Sequence, residues 1–145
     1  MDEWEELDKI IQAKKKAIAR GKTEEERLTQ IADEFITSKV EPAFTELRRE
    51  LEKRGKRVQR PNIIVSNPPM ASITVSEGDV EEIDFDISAE ATDKGIKVTE
   101  HVSYGSQSFE SSFGPTELMS AEEIKKLTKR NIIDAFLERY KEAID

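Results

Sequence analysis

The chain contains no cysteine. That single absence excludes disulfides, thiolate nucleophiles and cysteine-ligated zinc together. Histidine occurs once. There is no histidine–glutamate zinc motif, no glycine-rich phosphate loop, no dinucleotide fingerprint and no nucleophile elbow. No apolar run approaches the roughly 18 residues that would read as a membrane span. The start, Met1-Asp2-Glu3-Trp4-Glu5-Glu6, is acidic and lacks the basic-then-apolar order of a signal peptide. These absences predict a soluble, cytoplasmic protein that is not an enzyme and uses no cofactor or metal.

What is present is charge. Of 145 residues, 37% are charged and 36% hydrophobic, so a modest core must sit under a heavily charged surface. The length suits one domain. A formal net charge of −8 favours solubility and opposes nucleic-acid binding by the molecule as a whole. Without covalent staples, a domain of this size relies on its core or on a partner subunit.

Hydrophobic periodicity divides the chain into three regions: helices over residues 1–55, an antiparallel sheet over 62–113 and a helix over 120–144. Trp4, Leu7, Ile11 and Ile18 share one face of a first helix spanning about Asp2 to Arg20. Lys14 interrupts that stripe, and Gly21 is a natural stop. Thr23 and Glu26 have the spacing of a capping box, which predicts a second helix running to Gly55. Pro42 lies inside it. The apolar phase continues across the proline, so a kink is preferred over a break.

Short runs at 63–66 and 71–76 read as strands separated by Asn67-Pro68-Pro69-Met70. From Val80 the alternation is clean, with Ile83, Phe85, Ile87, Ala89 and Ala91 on one side. Glu82, Asp84, Asp86, Ser88 and Glu90 take the other. Thr92-Asp93-Lys94-Gly95 supplies a turn. Pairing Ala91 with Ile96 then sets Ala89 opposite Val98, Phe85 opposite Val102, Glu90 opposite Lys97 and Asp86 opposite His101. Apolar residues meet and opposite charges meet, as cross-strand pairing favours. Phe109 and Phe113 mark a third strand of this meander. Ser120 and Glu123 form a capping box ahead of the last helix. One apolar face predicts a two-layer α+β sandwich with long helices packed on a single side of the sheet.

Several groups of residues could carry function. Arg48, Arg49, Lys53, Arg54, Lys56, Arg57 and Arg60 cluster at a helix end, where guanidinium forks could hold a small anionic ligand or nucleotide. Interleaved Glu46, Glu50 and Glu52 favour a solvated, dipole-compensating role instead. The strand face Glu82, Asp84, Asp86 and Glu90 could receive a basic protein partner, or could simply be a soluble outer face that resists aggregation. Glu100 falls on the apolar face opposite Ile87, which calls for an ion pair from a helix, an edge position or a pocket. His101, near Asp86, Ser88 and Ser103, imitates a catalytic set, but a flat strand surface offers no oxyanion donors.

The leading expectation is a non-enzymatic protein–protein interaction module, an adaptor, scaffold or inhibitor. It pairs with itself through the N-terminal helices or with another protein through the acidic face. The alternative is a small-molecule or anion binder with a pocket between sheet and helices, using Glu100 or the arginine cluster.

Overall fold

Alternation of apolar and polar residues over four consecutive strands lays the foundation of the molecule. In the computed structural model, which describes residues 2–60 and 67–145, these are β2 (Met70–Glu77), β3 (Val80–Ala91), β4 (Ile96–Tyr104) and β5 (Gln107–Ser112). A short strand, β1 (Arg57–Gln59), adds to β2, so the antiparallel order is β1-β2-β3-β4-β5. The β3–β4 register matches the sequence expectation: Ala91 faces Ile96, Ala89 faces Val98, Phe85 faces Val102 and Asp86 faces His101. Strand β1 was not foreseen. The strand expected at 63–66 lies outside the described residues.

The protein is an α+β fold with its helices against the apolar face of this meander. Ile73, Val75, Ile83, Phe85, Ile87 and Val98 are buried beneath them. Phe85 is the centre of the contact. Its ring meets Phe44 from one helix at 6.0 Å and Phe136 from another at 5.4 Å, both edge-on.

The N-terminal helices depart from expectation. One helix, α1 (Glu3–Phe35), runs straight through Gly21 and Thr23. Thr23 does not cap a second helix; its hydroxyl donates to the Ala19 carbonyl one turn back. An interior glycine costs about 1 kcal/mol, and helix on both sides outweighs it. Asp2 provides the N-cap, accepting the Glu5 amide at 2.8 Å.

Proline 42 is accommodated by neither a simple kink nor a clean break. A π-helical turn, Ile36–Val40, precedes α2 (Glu41–Lys53), and the Glu41 amide reaches the Ile36 carbonyl five residues back. Pro42 thereby falls in the first turn of α2, where its missing N–H matters least. The apolar phase carries on through Phe44, Leu47 and Leu51, all buried.

The C-terminal helix is also divided. Ser120 and Glu123 form the expected capping box, but α3 (Ala121–Lys126) ends at Leu127, which is extended. A second reciprocal cap, Thr128 with Asn131, starts α4 (Lys129–Ile144). The break lets Leu127 and Ile132 both turn inward, which a spacing of five residues on one straight helix would not allow. Lys39, on the π-turn, donates to the exposed carbonyls of Ile124 (3.3 Å) and Lys125 (2.8 Å) and ties the end of α3 to the first layer. Burial of its ammonium lowers the Lys39 pKa.

The segment between β5 and α3 is pinned rather than free. Ile96 and Met119 exchange two backbone hydrogen bonds of 2.8 Å. Met119 is fully buried, and Phe113 nearly so. Gly114 has φ +104°, and a Cβ there would lie 2.7 Å from the Met119 sulfur. Glycine is required on both counts.

Candidate functional site

The acidic strand face does not remain a single row. Between β2 and β3 the register shifts at Val75/Ser76: Val75 faces Ile83 while Ser76 faces Glu81. Glu82 is the extra residue of this bulge. It leaves the row it was expected to share with Asp84, Asp86 and Glu90, and reaches the helical layer. There it accepts the Tyr140 hydroxyl at 2.8 Å and the Lys56 ammonium at 3.1 Å. Burial, followed by the Glu82 carboxylate, pushes the Tyr140 phenol up to about 12. Lys56, which also meets Glu77 at 2.7 Å, has its pKa raised by these two carboxylates.

Two of the remaining carboxylates accept hydrogen bonds within the sheet. Thr74 donates to Asp84 at 3.2 Å, and Ser72 donates to Asp86. Glu90 stands opposite Lys97. Desolvation, with the neighbouring Asp84 charge, raises the pKa of Asp86 despite the Ser72 bond and His101.

His101 joins a longer chain than expected. Its Nδ1 lies 3.5 Å from Asp86 and its Nε2 lies 3.2 Å from the Ser108 hydroxyl, with Ser103 donating to Ser108 at 3.1 Å. The serine brought to histidine is therefore Ser108, not Ser88 or Ser103. The β4–β5 register, which pairs Ser103 with Ser108, brings this hydroxyl beside His101. The order serine–histidine–aspartate is that of an acyl-transfer enzyme, but its surroundings are not. Asp86, His101 and Ser108 lie side by side on three neighbouring strands, β3, β4 and β5.

Glu100 is buried and is met from α4. Arg139 Nε lies 2.7 Å from its carboxylate, and the same guanidinium stacks 4.9 Å above the Phe109 ring. The Glu100 bond raises the pKa of Arg139 further. Arg139 is not marked by the sequence pattern, and Tyr140 is expected only on the buried face of the last helix, where it lies. The signal was their position beside Phe136 on the inner border of the last helix.

The basic cluster is dispersed among ion pairs. Arg48 meets Glu52 (2.8 Å), Lys53 and Arg54 meet Glu50 (3.3 and 3.1 Å), and Arg57 approaches Asp79 (3.9 Å). Arg60 bonds Glu41 and the Ser72 carbonyl and lies over the Phe44 ring. Arg49 alone is exposed with no hydrogen bond or ion pair among the described residues. Seven cations in sequence thus do not converge on one anion. A groove of about 550 Å³ lies between α2 and α4. Leu47, Leu51, Ile133 and Leu137 floor it, and Arg54 and Lys141 stand at its rim. Glu100, Arg48, Arg49 and Arg57 do not line it.

Exposed apolar surface gathers elsewhere. Every residue from Asp2 to Arg20 on α1 is exposed. This arm, about 27 Å long from Glu3, carries Trp4 (73% exposed), Leu7, Ile10, Ile11 and Ile18. Leu28 is the first residue of α1 to be buried.

Among the described residues, no helix is long and apolar enough to cross a membrane. Nor does any group of three or more histidine, aspartate or glutamate side chains converge as metal ligands. No family model, curated protein or solved structure matches the chain.

Proposed function

We propose that the protein is a non-enzymatic protein–protein interaction module whose binding element is the arm of α1, residues 2–20. The observation that carries this reading is the concentration of large exposed apolar side chains on a helical segment that no other part of the fold covers. A solvated helix of this length is marginal by itself, and a narrow apolar stripe is the pattern that helix–helix pairing uses. Full burial of one such side chain contributes about 1.5–3 kcal/mol. Association costs about 4–15 kcal/mol. Partial coverage of Trp4, Leu7, Ile10, Ile11 and Ile18 on both helices fits a dissociation constant on the order of micromolar.

The acidic strand face is the weaker docking surface, because Asp84 and Asp86 already accept hydrogen bonds within the sheet. Complexes of the purified protein, and of tagged protein recovered from its host, are compared with those of Leu7→Asp/Ile11→Asp. The substitutions lie outside the core, so the melting temperature of the body is the folding control. Loss of complexes supports the reading. An unchanged set of complexes overturns it.

The α2–α4 groove supports a second reading, an amphipathic anion with its tail on Leu47 and Ile133 and its head at Lys141. A thermal-shift screen of fatty acids and nucleotides tests it, since a specific ligand stabilises the folded state.

A further inference from the structure

The arm of α1 has two features that its own fold does not explain. Its charges are segregated: Asp2, Glu3, Glu5, Glu6 and Asp8 are followed by Lys9, Lys14, Lys15, Lys16 and Arg20 with no acid between. It also keeps a glycine, Gly21, in mid-helix at a point where an added Cβ would meet nothing within 4 Å. Among the described residues, no contact requires that glycine.

We infer that the occupant of the arm is a second copy of the same arm, packed antiparallel. The inference rests on the reading of the arm as a helix-pairing surface and adds the partner and its direction. Written as heptads, Trp4, Leu7, Ile11, Lys14, Ile18 and Gly21 occupy the seam. A parallel pair would stack Lys14 on its own copy in that seam. It would also set Glu3 of one helix beside Asp8 of the other, where flanking charges decide orientation. Both contacts are like-charged.

Reversing one helix removes both conflicts. The layers become Leu7 on Ile18, Ile11 on the aliphatic stem of Lys14, and Trp4 on Gly21, each twice by symmetry. The Lys14 ammonium can then extend to water past the neighbouring helix. Asp8 of one copy comes beside Lys15 of the other, and the acidic residues 2–8 lie along residues 17–23, a stretch that holds Arg20 and Lys22 and no acid. The glycine now has a purpose: it clears the space that the Trp4 indole fills.

The absence of cysteine makes the direction measurable in the full-length protein. Leu7→Cys and Ile18→Cys chains are prepared separately and mixed under mild oxidation. Antiparallel pairing predicts the mixed 7–18 disulfide as the main product, with little from either chain alone. A spin label at Glu5→Cys, on the outer face, reads the same question without touching the seam. The two labels should be more than about 20 Å apart in the antiparallel pair and clearly closer in a parallel one. Gly21→Phe should weaken self-association at least tenfold while leaving the melting of the sheet body unchanged. Homodisulfides from each single variant, or a monomer by sedimentation at high concentration, overturn the inference. A monomer that still loses heterologous complexes on Leu7→Asp/Ile11→Asp would leave the interaction-module reading standing.

Discussion

Replacing Arg139 by methionine keeps most of the side chain that covers Phe109 and removes the charge that holds Glu100. The carboxylate is only 7% exposed and the guanidinium 27%, at 2.7 Å. Stranding a fully buried partner costs about 3–5 kcal/mol. With Arg139 a quarter open to solvent, about 2–3 kcal/mol is the expected loss. For a domain of this size that corresponds to a fall in melting temperature of roughly 5–10 °C. Urea unfolding followed by circular dichroism at pH 7 measures it. Adding Glu100→Leu to Arg139→Met should restore most of the stability, since a packed apolar pair substitutes well for a buried ion pair. A single variant within about 0.5 kcal/mol of the parent, or a double variant no more stable than Arg139→Met alone, would refute the argument that the pair neutralises a buried carboxylate.

Three further outcomes follow from the same geometry. Tyr140 should ionise only near pH 12, seen as a late absorbance step that Tyr140→Phe abolishes; its folded pKa lies above the ordinary value near 10, so the stability it confers is present below about pH 10 and lost as pH rises through about 12. Asp86→Asn should become relatively more stable than the parent as pH rises through the carboxylate range, because the folded pKa of Asp86 is raised and its charge is a burden above that range. Thr128→Ala removes the acceptor of the Asn131 amide at 3.1 Å and should cost about 1 kcal/mol by urea unfolding, with the helix content of α4 reduced at its first turn.

The β3–β4 hairpin was legible because both faces of each strand carried information. Shifting the register by one residue would have turned Ile83 and Phe85 to water and Asp84 and Asp86 to the core. Helix phase was legible for the same reason. The places that escaped were those where a local signal competed with a cooperative one. Gly21 and Thr23 look like a stop and a start, yet the helix continues between them because propagation outweighs one poor residue. Pro42 was visible, but the π-turn that absorbs it depends on carbonyls at Ile36–Val40 that no side-chain pattern reports. Glu82 followed the alternation on paper; a bulge, placed by the turn at Gly78-Asp79, moved it to the other layer. Of the candidate site, the arm's stripe was readable, while Arg139 and Ser108 needed the packing of α4 and the β4–β5 register.

The meander order has a consequence for how the chain reaches its native state. Every strand hydrogen-bonds only to neighbours in sequence, so the ladder can assemble hairpin by hairpin with short loop closures, which favours rapid pairing. The greasy side of that ladder is sealed by helices from opposite ends of the chain, Phe44 from one and Phe136 from the other, both resting on Phe85. During synthesis the second of these arrives last. Until α4 has emerged, a formed sheet would leave the side of Phe85 that Phe136 covers open to water, and exposed apolar surface of that kind favours aggregation.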